Sequence, residues 1–146
     1  MKHLNTYITE YIIKKKLDSP IDSEDHYKYF PKTRKELFKI TQELIDKGIY
    51  NLNCINTERI TDMSNLFIKA PDIDISQWDV SNVENMSHMF WKCEKFEGKG
   101  LKNWDVSNVL NMEYMFRKCK KLNCDLSNWN VNNVKTCIIC FMVAIV

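Results

Sequence analysis

The chain has 146 residues and 17.4 kDa, with 21 basic and 19 acidic residues for a net charge of +2. Hydrophobic residues at 45% and charged residues at 27% allow a buried core and exclude wholesale disorder, while three Gly and three Pro exclude collagen-like and linker-like designs. So balanced a charge gives no reason to expect nucleic acid or an anionic membrane as partner.

At the N-terminus, MKHLNTYITEYIIKKK has no apolar run longer than Tyr11-Ile12-Ile13. The h-region of a secretory signal is missing there, so the expectation is a chain that stays where it is made. Leu4, Tyr7, Ile8, Tyr11 and Ile12 follow helical spacing up to Ser19-Pro20. The stretch 17–31, with Asp18, Asp22, Glu24 and Asp25, reads as a surface connection. Thr33 to Lys47 reads as a second helix, with Leu37, Ile40, Leu44 and Ile45 on one face, Thr33 as N-cap to Glu36, and Gly48 at the C′ position. Residues 1–48 do not repeat. They are expected to form an N-terminal helical cap, followed by a repeat domain over 49–146.

That second part repeats itself. WDVSNVENMSHMFWKC begins at Trp78, WDVSNVLNMEYMFRKC at Trp104, and WNVNNVKTCIICF at Trp129, with a weaker copy, INTERITDMSNLFIKA, from Ile55. Alternation from Trp78 to Val80, Trp104 to Val106 and Trp129 to Val131 predicts a short strand in each copy. Val83, Met86, Met89, Phe90 and Cys93, matched by Val109, Met112, Met115, Phe116 and Cys119, then take the spacing of one helix face. Such a unit cannot bury its own apolar side, whereas stacked copies can. The expected fold is therefore an α/β, leucine-rich-repeat-like solenoid of about four strand-helix units. Equivalent side chains should form columns: Ile55, Trp78, Trp104 and Trp129 inside, with Ala70, Cys93 and Cys119 inside at the other end of the unit.

WDVSNVxNMxxMFxxC resembles the repeat of the BspA-like leucine-rich-repeat surface proteins, a bacterial family, over roughly residues 52 to 141. The resemblance implies an adhesin-type or surface-interaction protein at the cell surface, with no catalytic residues to carry over. This chain departs from it in lacking an export signal and in placing Cys137 and Cys140 where Met or Leu is expected.

Residues that could carry chemistry are scattered. Cys54, Cys93, Cys119, Cys124, Cys137 and Cys140 contain one CxxC, inside an apolar run, and the upstream pair is CxxxxC; buried small hydrophobes are favoured over zinc, and disulfides are not expected. His3, His26 and His88 lie in different segments, and no Gly-rich phosphate loop exists. No enzyme activity and no cofactor are expected. The final run, CIICFMVAIV, is too short to cross a bilayer, so no membrane span is expected either, and it is instead a candidate for self-association.

Positions facing away from the core form two outward columns. Gln77, Asn103 and Asn128 follow Cys54 in one, and Asp79, Asp105 and Asn130 follow Asn56 in the other. Asp79 and Asp105, one unit apart, either perturb each other and attract a cation or bond their own backbone two residues on; Asn at both ends of the column favours the second. Asn82, Asn108 and Asn133 suggest a structural hydrogen-bond ladder. Lys92, Lys95, Arg117, Lys118, Lys120 and Lys121 make a basic edge, read as solvated because Glu94 and Glu97 are interspersed. The expected function is a non-enzymatic interaction module that binds a protein or peptide through Gln77, Asp79, Asn103, Asp105, Asn128 and Asn130 on the strand face. The alternative is a truncated or purely structural remnant of a longer array, without a partner of its own.

Overall fold

The computed structural model describes residues 26–136. The sequence readings for the segment Leu4 to Ile12, the acidic residues 18–25 and the apolar run from Cys137 onward lie outside them.

A single long helix, Arg34–Asp46, opens the described chain where the Thr33–Gly48 pattern predicts it. The Thr33 hydroxyl accepts from the Glu36 N–H at 3.2 Å, and the Glu36 carboxylate accepts from the Lys32 N–H at 2.7 Å. These side chains satisfy amide donors that the first turn of a helix leaves unpaired. At the other end Gly48 adopts φ +75, and its N–H closes on the Ile45 carbonyl. Leu37 and Leu44 are buried and belong to the same core as the repeats, with Ile40 and Ile45 packed against it.

The repeats themselves overturn the strand-helix solenoid. Among the described residues the Met-Phe-Cys segments contain no helix, the Trp-Asp-Val segments contain no strand, and the copies pair only through isolated parallel bridges at Asp62, Asn85, Asn111 and Thr136, with no sheet. The reason lies in the backbone. His88 and Lys92, Tyr114 and Lys118, Asn65 and Lys69 all have φ between 54 and 66. An L-residue in that left-handed region costs roughly 1–2 kcal/mol and cannot continue a right-handed helix. Each sits third in a four-residue turn; Met89 donates to the Met86 carbonyl and Cys93 to that of Phe90, and Met115 and Cys119 repeat the pattern on Met112 and Phe116. Tight turns bring the chain back to the same side every three or four residues. They therefore reproduce the apolar spacing of a helix without its hydrogen bonds.

The amides not used in turns hold the layers together. Met86, His88, Phe90 and Lys92 donate to the carbonyls of Asn111, Glu113, Met115 and Arg117 at 2.8–3.0 Å. One layer earlier, Met63, Asn65, Phe67 and Lys69 donate likewise to Asn85, Ser87, Met89 and Trp91. In the Trp-Asp-Val segments the amides instead close local turns, Trp78 on Ile75 and Val83 on Val80, which leaves too few for a strand ladder.

The columns expected inside are there except at Ala70, which is only half-buried. Trp78, Trp104 and Trp129 are buried, as is Ile55. Phe67, Phe90 and Phe116 stack with centroids 5.7 and 5.6 Å apart, and the Trp of each unit packs on the Phe of the unit before it. Cys93 and Cys119 are buried thiols that donate to the Phe67 and Phe90 carbonyls. Burial is the main cause that pushes both up to about 12. A thiol whose folded pKa exceeds its unfolded value stabilises below the unfolded pKa and loses that contribution as pH rises toward the folded one. Stability should thus fall between pH 9 and 12. A Cys93→Ala/Cys119→Ala variant, which copies the Ala70 of the equivalent position, should show a shallower fall. Urea midpoints across that pH range, wild type against variant, check this; parallel profiles would refute it.

Candidate functional site

Asx turns set the outward columns. Asp79 Oδ1 accepts from the Ser81 amide at 2.9 Å and the Ser81 hydroxyl at 2.7 Å, and Asp105 does the same with Ser107 at 3.1 and 2.6 Å. Asn56 and Asn130 take the amides of Glu58 and Asn132. Hydrogen bonds from the Ser107 hydroxyl and amide hold the Asp105 carboxyl below its ordinary range, opposite to the shift that repulsion from Asp79 would give. Local backbone capping therefore decides the geometry of this column.

Gln77, Asp79, Asn103, Asp105, Asn128 and Asn130 are all exposed. They share a face because their layers stack, but that face is made of turns and irregular segments, so the expected strand face does not exist. Asn103 ends a short 3-10 turn, Leu101–Asn103, and the Gln77 amide is fixed by the Asn53 side chain at 2.9 Å. Asn82, Asn108 and Asn133 form the ladder their spacing suggests, donating from Nδ2 to the carbonyls of Glu58, Ser81 and Ser107 at 2.7–2.8 Å.

A polar knot ties the first layers together beneath this face. Asn53, itself buried, donates to Asp74, which also accepts from the Ser76 amide and hydroxyl and pairs with Lys99. Burial alone would raise the Asp74 carboxyl, but the bonds from Lys99, Ser76 and Asn53 outweigh it and hold the group well below the usual carboxylate range. With every partner inside the chain, this cluster is structural.

The basic edge is less simply solvated than its composition suggests. Lys92 Nζ lies 4.4 Å from the Trp91 ring centre, and the Arg117 guanidinium 5.0 Å from that of Tyr114. His88 is half-buried and packs against both rings, 5.7 Å from Trp91 and 5.2 Å from Tyr114. Beside this edge runs an open groove of about 530 Å³, lined by Ile45, Tyr50, Lys69, Lys92, Glu94 and Lys95 among others. Helical periodicity hid the groove, because it scattered these side chains around a cylinder. The recurrence of Lys69, Lys92 and Lys118 at one position of three copies was the signal that could have revealed it.

No group of three or more His, Cys, Asp or Glu side chains in metal-ligating arrangement occurs among the described residues. No helix among them is long and apolar enough to cross a membrane. A family profile described as "Mycoplasma protein of unknown function, DUF285" matches residues 33–145. No match is found among curated proteins or solved structures.

Proposed function

We propose that this chain, which belongs to the DUF285 family of Mycoplasma proteins of unknown function, is a non-enzymatic interaction module. Its occupant is a protein or peptide bound across the face that carries Gln77, Asp79, Asn103, Asp105, Asn128 and Asn130. One observation carries this reading: polar side chains recur at equivalent exposed positions on a backbone that Asx turns and inter-layer hydrogen bonds hold fixed. Oδ1 of Asp79 and of Asp105 is spent on the turn, which leaves Oδ2 in each case as an acceptor for a partner. A preordered polar face loses little conformational entropy on binding. The resemblance of WDVSNVxNMxxMFxxC to BspA-like surface proteins supports an adhesin-like role in particular.

The test is a peptide-library selection on the immobilised chain, followed by the Gln77→Lys/Asn103→Lys variant. Neither side chain caps a turn, so the melting temperature should stay close to that of wild type. Two new lysines forced into a real interface should weaken the selected peptides at least about tenfold. Failure to enrich any peptide, or undiminished binding by the variant, would sink this reading and favour the purely structural remnant.

A further inference from the structure

On another side of the molecule, we infer that the groove between the helix end and the basic turn edge binds a short acidic peptide segment bearing an apolar side chain. Lys69 and Lys92 occupy the same position in consecutive layers, and Lys118 continues the column in the next. The layers are joined directly there, since the Lys69 amide donates to the Trp91 carbonyl and the Lys92 amide to that of Arg117. Hydrogen-bonded backbones of this kind lie about 4.8 Å apart, so the three lysines leave the backbone from adjacent layers and concentrate positive charge along one edge. None of Lys69, Lys92, Lys95 and Lys118 has an ion-pair partner among the described residues, and Glu94, the acid in the groove, is engaged by Lys120 at 3.0 Å. Lysine is also a strained choice here. All three column positions have φ between 60 and 66, where glycine would sit without penalty. The column thus holds three positive charges at positions the backbone disfavours, and carboxylates from a partner would complement them.

Two further observations specify the occupant. The groove's other wall is apolar, formed by Ile45, Ala70, Pro71 and the ring of Tyr50, which is 45% exposed. An apolar side chain flanked by carboxylates fits both walls. A single-stranded nucleic acid also carries closely spaced negative charge, but it is held largely by stacking on open aromatic faces. Here Trp91 and Tyr114 already have Lys92 and Arg117 over their rings and His88 against them. Those contacts orient the cations and cover the Trp91 and Tyr114 rings, which leaves Tyr50 as the single aromatic ring in the groove lining, too few for successive bases to stack, and favours carboxylates.

Titration of the full chain with a nine-residue peptide repeating Glu-Glu-Leu tests this, followed by amide chemical shifts and calorimetry at about 50 mM and about 300 mM salt. Shifts should concentrate at Tyr50, Lys69, Lys92 and Lys95, with affinity at least about fivefold weaker at high salt. The Lys92→Glu/Lys118→Glu variant should lose binding at least about tenfold, whereas Gln77→Lys/Asn103→Lys should leave it unchanged, so this site and the polar face fail or stand separately. Replacing Leu by Ser in the peptide should also weaken it several-fold. Absence of binding by the Glu-Glu-Leu peptide, loss of no affinity in the charge-reversed variant, or tighter capture of an equally charged single-stranded oligonucleotide would each overturn the assignment.

Discussion

Trp104→Ala should destabilise the chain by about 3–5 kcal/mol, the range for deleting a large buried aromatic side chain. The ring is buried, stacks 6.5 Å from Trp129 with planes 3° apart, and also meets Phe90 of the preceding layer. Its removal empties the middle of a column, where the layers on either side are pinned by backbone hydrogen bonds and cannot close in. The indole nitrogen adds a finer expectation. Trp78 and Trp129 donate from Nε1 to the carbonyls of Leu52 and Leu101 at 3.0 and 2.8 Å, while the buried Nε1 of Trp104 has no partner among the described residues. An unpaired buried donor is a cost rather than a gain. Trp104→Phe should therefore be milder than Trp78→Phe or Trp129→Phe by about 1 kcal/mol, because only the latter two forfeit a hydrogen bond. Urea unfolding of the four variants measures this. A loss below about 1 kcal/mol for Trp104→Ala would place the column outside the core.

Which parts of this architecture the sequence reveals follows from what its patterns encode. Apolar spacing reports which side chains point inward, and it does so correctly for Trp78, Phe90 and Cys93 and for their counterparts Trp104, Phe116 and Cys119. Spacing does not report how the backbone gets from one inward residue to the next. A turn closing Met86 on Met89 and a helical turn both return after three residues, so the same pattern serves both. The deciding property is φ at His88, Lys92, Tyr114 and Lys118. None of these is glycine, the residue that advertises a left-handed position. By contrast, Thr33, Glu36 and Gly48 each have a capping chemistry with few alternatives, and the helix they bound is found where they place it. The Asp-x-Ser turns and their Asn56 and Asn130 counterparts were legible for the same reason: a short polar side chain two residues before an amide has an obvious acceptor role. The groove was not, since Ile45 and Tyr50 meet Lys69 and Lys92 only through tertiary packing.

Gly100→Ala should be the most damaging change of a single small residue, on the order of 4 kcal/mol, at the upper end of what point substitutions do. A β-carbon at this position would lie 2.3 Å from the Ser76 Cα and 2.3 Å from its Cβ. Backbone cannot swing aside as a long side chain can, and Ser76 is fixed by its bonds to Asp74 inside the polar knot. Relief would have to come from separating the two layers, which breaks the inter-layer contacts the fold depends on. Gly100 also has φ +83, so the strain of an L-residue adds to the clash. Gly48 supplies the control: φ is +75, but a β-carbon there meets nothing within 4 Å. Gly48→Ala should therefore cost only the backbone term, roughly 1 kcal/mol. The difference between the two variants isolates the steric contribution of close layer packing from glycine's conformational freedom. Equal losses in thermal or urea unfolding would mean that the layers at Gly100 are not in direct contact, and that backbone strain alone governs both sites.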